Sequence, residues 1–93
     1  MTFPKLVFRA HAVRRMYERR ISDVDVRHVL DSGKTIEEYP NDKPYPSRLI
    51  LGWRGSRPIH IAAADKAEDD EIIIITVYEP DPVKWESGFK RRK

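Results

Sequence analysis

The chain contains no cysteine, and that absence removes disulfides, thiolate catalysis and zinc–thiolate sites together. It also lacks a P-loop, a dinucleotide-binding glycine pattern, a serine elbow and any His-x-x-x-His pair. The histidines, His11, His28 and His60, stand far apart, and no carboxylate spacing completes a zinc site around them. Neither a metal nor a cofactor is therefore expected. Long hydrophobic runs are missing too. The longest, Ile72 to Ile75, is strand-sized. With no signal peptide evident, the expected setting is cytoplasmic, with no membrane partner.

What remains is a chain of 93 residues, 40% hydrophobic and 35% charged, the balance of a globular domain with one modest core. A single domain over residues 1–93 is expected. The net charge of +3 conceals a segregation. Arg9, Arg14, Arg15, Arg19 and Arg20 face only Glu18 in the first basic stretch, and Lys90-Arg91-Arg92-Lys93 closes the chain. Between them, Asp65, Glu68, Asp69, Asp70 and Glu71 face only Lys66. A basic helix with a basic tail is an electrostatic footprint for nucleic acid, and a solvated helix with a loose end is the plain alternative.

His11, Arg15 and Arg19 recur every four residues, so on a helix they form one polar stripe beside the apolar Ala12 and Met16. The spacing predicts two N-terminal helices within about residues 8–32. The second is the better defined: Ser22 caps it, Asp25 completes a capping-box pair, Ile21 and Val26 staple the entry, and Gly33 stops it. Alternation then predicts four strands, Lys34–Tyr39, Arg48–Trp53, Ile59–Ala64 and Ile72–Tyr78, with Arg54–Arg57 as a hairpin turn. Ile72–Tyr78 is apolar on both faces and should be central or covered on both sides. In residues 79–93, Asp81 and Pro82 start a short helix or turn anchored by Trp85 and Phe89. The expected fold is α+β: two N-terminal helices packed on a four-stranded antiparallel meander within residues 34–78, with a short C-terminal helix or turn.

His60 is the most informative single residue. It falls mid-strand on the face carrying Ala62 and Ala64, and its imidazole titrates near neutrality. A buried, hydrogen-bonded strand histidine is the alternative. Cleaving RNA without a metal needs a base for the 2′-hydroxyl, a cation for the phosphorane and an acid for the leaving oxygen. His60 or Tyr78, Arg15 or Arg19, and His11 or Lys90 carry those groups. The assembly requires the imidazole of His60 and the Arg15–Arg19 ridge to share one open hollow.

Three blocks resemble a known family. These are HAVRRMYERRIS, YPNDKPYPSRLILGWRGSRPIHIAAA and ITVYEPDPVKWESGFKRRK, and together they span nearly the whole chain. They resemble the small bacterial domain of unknown function 4258 family. That family is in turn similar to the ribonuclease fold of RelE-like toxins and barnase-like nucleases, and its members can be encoded beside zinc-finger or helix-turn-helix antitoxins. The resemblance marks His11, Arg15, Arg19, His60, Tyr78 and Lys90-Arg91 as motif positions without assigning them roles. It implies a toxin-like, metal-independent endoribonuclease acting on RNA, including mRNA, with an antitoxin partner. In that reading His60 is the acid/base, Arg15 and Arg19 the phosphate clamp, and His11 a second proton carrier or substrate orienter. Tyr78 completes the site, and Arg14, Arg57, Lys90 and Arg91 contact RNA. The alternative is a non-catalytic protein- or RNA-binding module.

Overall fold

The computed structural model describes residues 4–93 and opens with a strand where sequence periodicity gives none. The order is β1 (Lys5–Phe8), α1 (Ala10–Arg19), α2 (Asp23–Ser32), β2 (Lys34–Tyr39), β3 (Ser47–Arg54), β4 (Arg57–Lys66) and β5 (Glu71–Tyr78). The five strands form one mixed sheet in the order β1-β5-β4-β3-β2, with β1 parallel to β5 and the other neighbours antiparallel. This corrects the expected fold. The antiparallel meander β2–β5 exists, but a fifth strand pairs with it in parallel, and the helices follow that strand instead of opening the fold. The physical reason is range. Lys5 pairs with Glu71 and Phe8 with Ile74, so the partner lies near the other end of the chain and leaves no local periodic signal.

The added strand explains the composition of β5. Over Glu71–Ile74 it is hydrogen-bonded on both edges, by β1 and β4, which gives it the internal position in the sheet that its apolar run implies. Beyond Ile74 the β1 edge ends: the Arg9 amide donates to the Ile74 carbonyl and the chain turns into α1. The outer edge of β5 from Ile75 to Tyr78 is therefore left to α1. At Ile75 the β4–β5 register shifts, so this residue bulges and stands 38% exposed.

Local chemistry sets the helix ends. The Ser22 hydroxyl accepts from the Asp25 amide, and the Asp25 carboxylate accepts from the Ser22 amide, a complete capping box. The capping bond from the Ser22 amide holds the Asp25 carboxyl below its usual range, with the Arg54 guanidinium adding to the effect. At the C-terminus of α1, Arg20 takes a left-handed conformation with φ 54°. The amide of Ile21 reaches back to the Met16 carbonyl at 2.9 Å, closing the helix.

Helix α1 lies against β5, and α2 against β3 and β4. Ile50, Ile59, Ile61, Ile74 and Val77 form the core with Ala12, Val26 and Val29 from the helices. Each fully buried aliphatic side chain there contributes roughly 1.5–3 kcal/mol. Gly52 allows α2 to approach: a Cβ at this position would stand 2.6 Å from Val29 Cγ1. No helix among the described residues is long and apolar enough to cross a membrane.

The last segment forms turns and a reversal, not a helix. The Asp81 carbonyl accepts from the amides of Lys84 and Trp85, and Asp81 Oδ1 accepts from the Val83 amide. The chain then doubles back through Gly88 and Phe89, both at positive φ, so that Lys93 N–H reaches the Lys84 carbonyl. Trp85 and Phe89 still anchor the segment: Trp85 is 5% exposed, and Phe89 packs edge-on against Trp53.

Candidate functional site

Because β1 covers only the first half of β5, a groove of about 460 Å³ opens between α1, the free end of β5 and the C-terminal turn. From α1 come His11, Arg15 and Arg19, on successive turns about 6 Å apart. Thr76 and Tyr78 come from β5, and Lys84, Trp85 and Arg92 from the C-terminal turn. His11, Arg15 and Arg19 are exposed. His11 Nε2 lies 3.1 Å from the Thr76 hydroxyl, which fixes the ring over the strand. The bulge at Ile75 falls immediately before Thr76, where the strand must re-aim a side chain toward α1.

Four cations line this groove against two carboxylates, Glu79 and Asp81. Both carboxylates are engaged: Glu79 accepts from Arg57 at 2.8 Å and Asp81 from the Val83 amide. Arg15 pairs with Glu18 at 3.4 Å on the helix surface, a contact exposed enough to be worth little. Arg92 lies over the Trp85 ring, 5.1 Å from its centroid, which holds the tail's cation at the groove. Helix α1 has no acidic residue in its first turn, so its positive end adds to the potential.

His60 does not stand in this groove. Strand alternation places it on the sheet face opposite the Ile59 and Ile61 side chains that meet the helices, and it is 0% exposed. Its ring is enclosed by Tyr78 and Trp85, with centroids 5.2 and 4.4 Å away. Nε2 sits 2.8 Å from the Phe89 carbonyl, which only accepts, so the geometry assigns the proton of the neutral ring to Nε2. Nδ1 then accepts from the Tyr78 hydroxyl at 3.2 Å. Burial pushes the His60 pKa down; the Phe89 carbonyl and Glu37 oppose it, and Arg92 reinforces it. Tyr78 is pushed up by burial and stays protonated at neutral pH. His60 thus lies one layer behind the groove wall, in contact with its members Tyr78 and Trp85.

The remaining candidates separate. Arg14 is exposed on α1 but does not line the groove. Arg57 is held by structure, its guanidinium donating to the Arg19 carbonyl at 3.0 Å, the Arg20 carbonyl at 3.3 Å and Glu79. Lys90 borders a different hollow, beside His28 and Trp53, and Arg91 is exposed, its carbonyl accepting from the Glu86 amide. The tail residue that enters the groove is Arg92. Thr76, Lys84 and Arg92 escape a reading by spacing. Only Thr76 leaves a signal, two residues before Tyr78 on the same strand face. Among the described residues, no group of three or more His, Asp or Glu side chains is placed to hold a metal ion.

The family model described as domain of unknown function (DUF4258) matches residues 8–79. That span contains His11, Arg15, Arg19, Thr76 and Tyr78, whereas Lys84 and Arg92 lie beyond it. Comparison with the curated proteins and with the solved structures finds no match.

Proposed function

Since the chain belongs to the DUF4258 family, whose description assigns no reaction, we propose from the α1–β5 groove itself that this protein is a metal-independent endoribonuclease. One observation carries the reading: an exposed imidazole and two guanidiniums of α1 converge with Tyr78 on a single open groove. RNA supplies its own nucleophile, so the protein need only move protons and stabilise charge. His11 takes the proton of the ribose 2′-hydroxyl as its oxygen bonds to phosphorus. Arg15 and Arg19 neutralise the phosphorane. The bond from phosphorus to the 5′-oxygen then breaks, that oxygen takes a proton from solvent, and a cyclic phosphate is left behind. Tyr78, whose proton points back to His60 Nδ1, forms part of the groove wall and takes no proton in the step. An antitoxin that silences the enzyme would cover the four cations with carboxylates.

The test is incubation of single-stranded RNA with the purified protein in excess EDTA. Wild type should cleave and leave cyclic phosphate ends. His11→Ala and Arg15→Ala should each lose roughly a hundredfold or more while keeping a native circular dichroism spectrum. Binding of RNA by wild type with no cleavage would replace this reading with the non-catalytic RNA-binding module.

A further inference from the structure

His11 lines a second hollow as well as the groove. This one, of about 330 Å³, lies toward the N-terminal end of α1 and is bordered by Arg9, Lys43, Tyr45 and the bulged Ile75. Its floor is apolar, made by Ala64 and Ile73 on the sheet face that also carries His60. The two hollows adjoin at His11, which lines both. They are lined by Arg9, just before α1, and by His11, Arg15 and Arg19 on it; on β5 they are lined by Ile73, Ile75, Thr76 and Tyr78. The contrast in chemistry is sharp. One half is rich in cations, and the other joins an apolar floor to Tyr45, with Arg9, Lys43 and Asp42 also lining it.

We infer that this second hollow is a nucleobase subsite, seating the base of a nucleotide whose phosphate lies against Arg15 across His11. The inference rests on the phosphate reading of the groove and adds to it where a base is held. A second phosphate does not suit a floor of Ala64 and Ile73, because burying charge on hydrocarbon is costly. A flat heteroaromatic ring does suit it: it covers Ile75 and the floor, meets Tyr45, and leaves its backbone near Arg9 and Lys43. The volume, at the small end of ligand sites, accommodates a base. The exposure of Ile75 has the same explanation, since the bulge turns an isoleucine outward on the wall a base would cover. Asp42 adds discrimination. One of its oxygens accepts from the Ser47 hydroxyl, and the carboxylate borders the hollow, where it can accept from a ligand. A carboxylate there accepts from an exocyclic amine and repels a carbonyl edge, so adenine is favoured over uracil.

The experiment is an amide NMR titration of the full chain with inorganic phosphate, adenosine 3′-monophosphate and uridine 3′-monophosphate. Phosphate should move resonances of Arg15, Arg19 and Thr76. Adenosine 3′-monophosphate should also move Ala64, Tyr45 and Ile75, and bind roughly tenfold tighter than phosphate, the gain expected of one stacked base. Ile75→Glu, at an exposed position, should erase that gain and leave the phosphate response intact. Uridine 3′-monophosphate should bind more weakly than its adenosine counterpart. A nucleotide that moves only the Arg15–Arg19 resonances, or keeps its gain in Ile75→Glu, overturns the subsite and leaves the groove reading standing. A nucleotide that moves the hollow while phosphate moves nothing supports the subsite and sinks the groove reading. No response to any ligand overturns both.

Discussion

Arg57 illustrates how a residue with the chemistry of a phosphate ligand can be committed elsewhere. Its guanidinium donates to the carbonyls of Arg19 and Arg20, the last groups of α1, and pairs with Glu79 at 2.8 Å. Those carbonyls have no partner within the helix, and a cation beside them also meets the negative end of the helix dipole. Arg57→Ala removes all three interactions. Hydrogen bonds to charged groups contribute about 1.5–3 kcal/mol when well shielded. The side chains of Arg57 and Glu79 are 37% and 40% exposed, so solvent screening lowers the loss to roughly 1–2 kcal/mol. For a domain of this size, that corresponds to a fall in Tm of roughly 5–15 °C. Thermal unfolding followed by circular dichroism reads it directly. Arg57→Lys, which keeps the charge but not the fork, should recover part of the loss. An unchanged Tm in Arg57→Ala would show that the capping interactions contribute nothing.

Two further outcomes follow from packing and titration. Gly52→Ala should destabilise by about 1–3 kcal/mol, because its Cβ would meet Val29 at 2.6 Å, and denaturant unfolding would show the lower midpoint. His60 has a folded pKa below its unfolded value of about 6.5, so the unfolded chain binds the extra proton. Its contribution is complete above that pH and is lost as pH falls from there toward the folded pKa; Tm should drop between pH 7.5 and pH 5.5, and less so in His60→Gln. A Tm flat across that window in wild type would contradict the buried neutral ring.

Local chemistry was readable from residues alone. Ser22 and Asp25 announce their capping box, Gly55 the β3–β4 turn, and the run Ile72–Tyr78 an internal strand. Period-two alternation also placed His60 opposite Ile59 and Ile61. What alternation does not carry is which layer covers each face. The helices took the isoleucine face, and the chain end took the other, sealing His60 beneath Phe89 and Trp85. Parallel pairing of β1 and the reversal at Gly88–Phe89 are likewise settled by distant partners, so Lys5–Phe8 and Arg92 gave no signal of their roles. The helical stripe of His11, Arg15 and Arg19 needed only local geometry, and it survives as one wall of the groove.

The groove is tested most directly by matched charge reversals on α1. Arg15→Glu, Arg19→Glu and Arg14→Glu alter the net charge equally, yet only the first two residues line the groove. Binding of single-stranded RNA across a salt series should weaken by about tenfold or more for Arg15→Glu and Arg19→Glu. The slope of log affinity against log salt should shrink by about 0.7 for each phosphate that is no longer neutralised. Arg14→Glu should bind nearly as wild type. Equal weakening at all three positions, with each variant folded, would mean that RNA senses only the overall charge of the helix and that the groove is not its site.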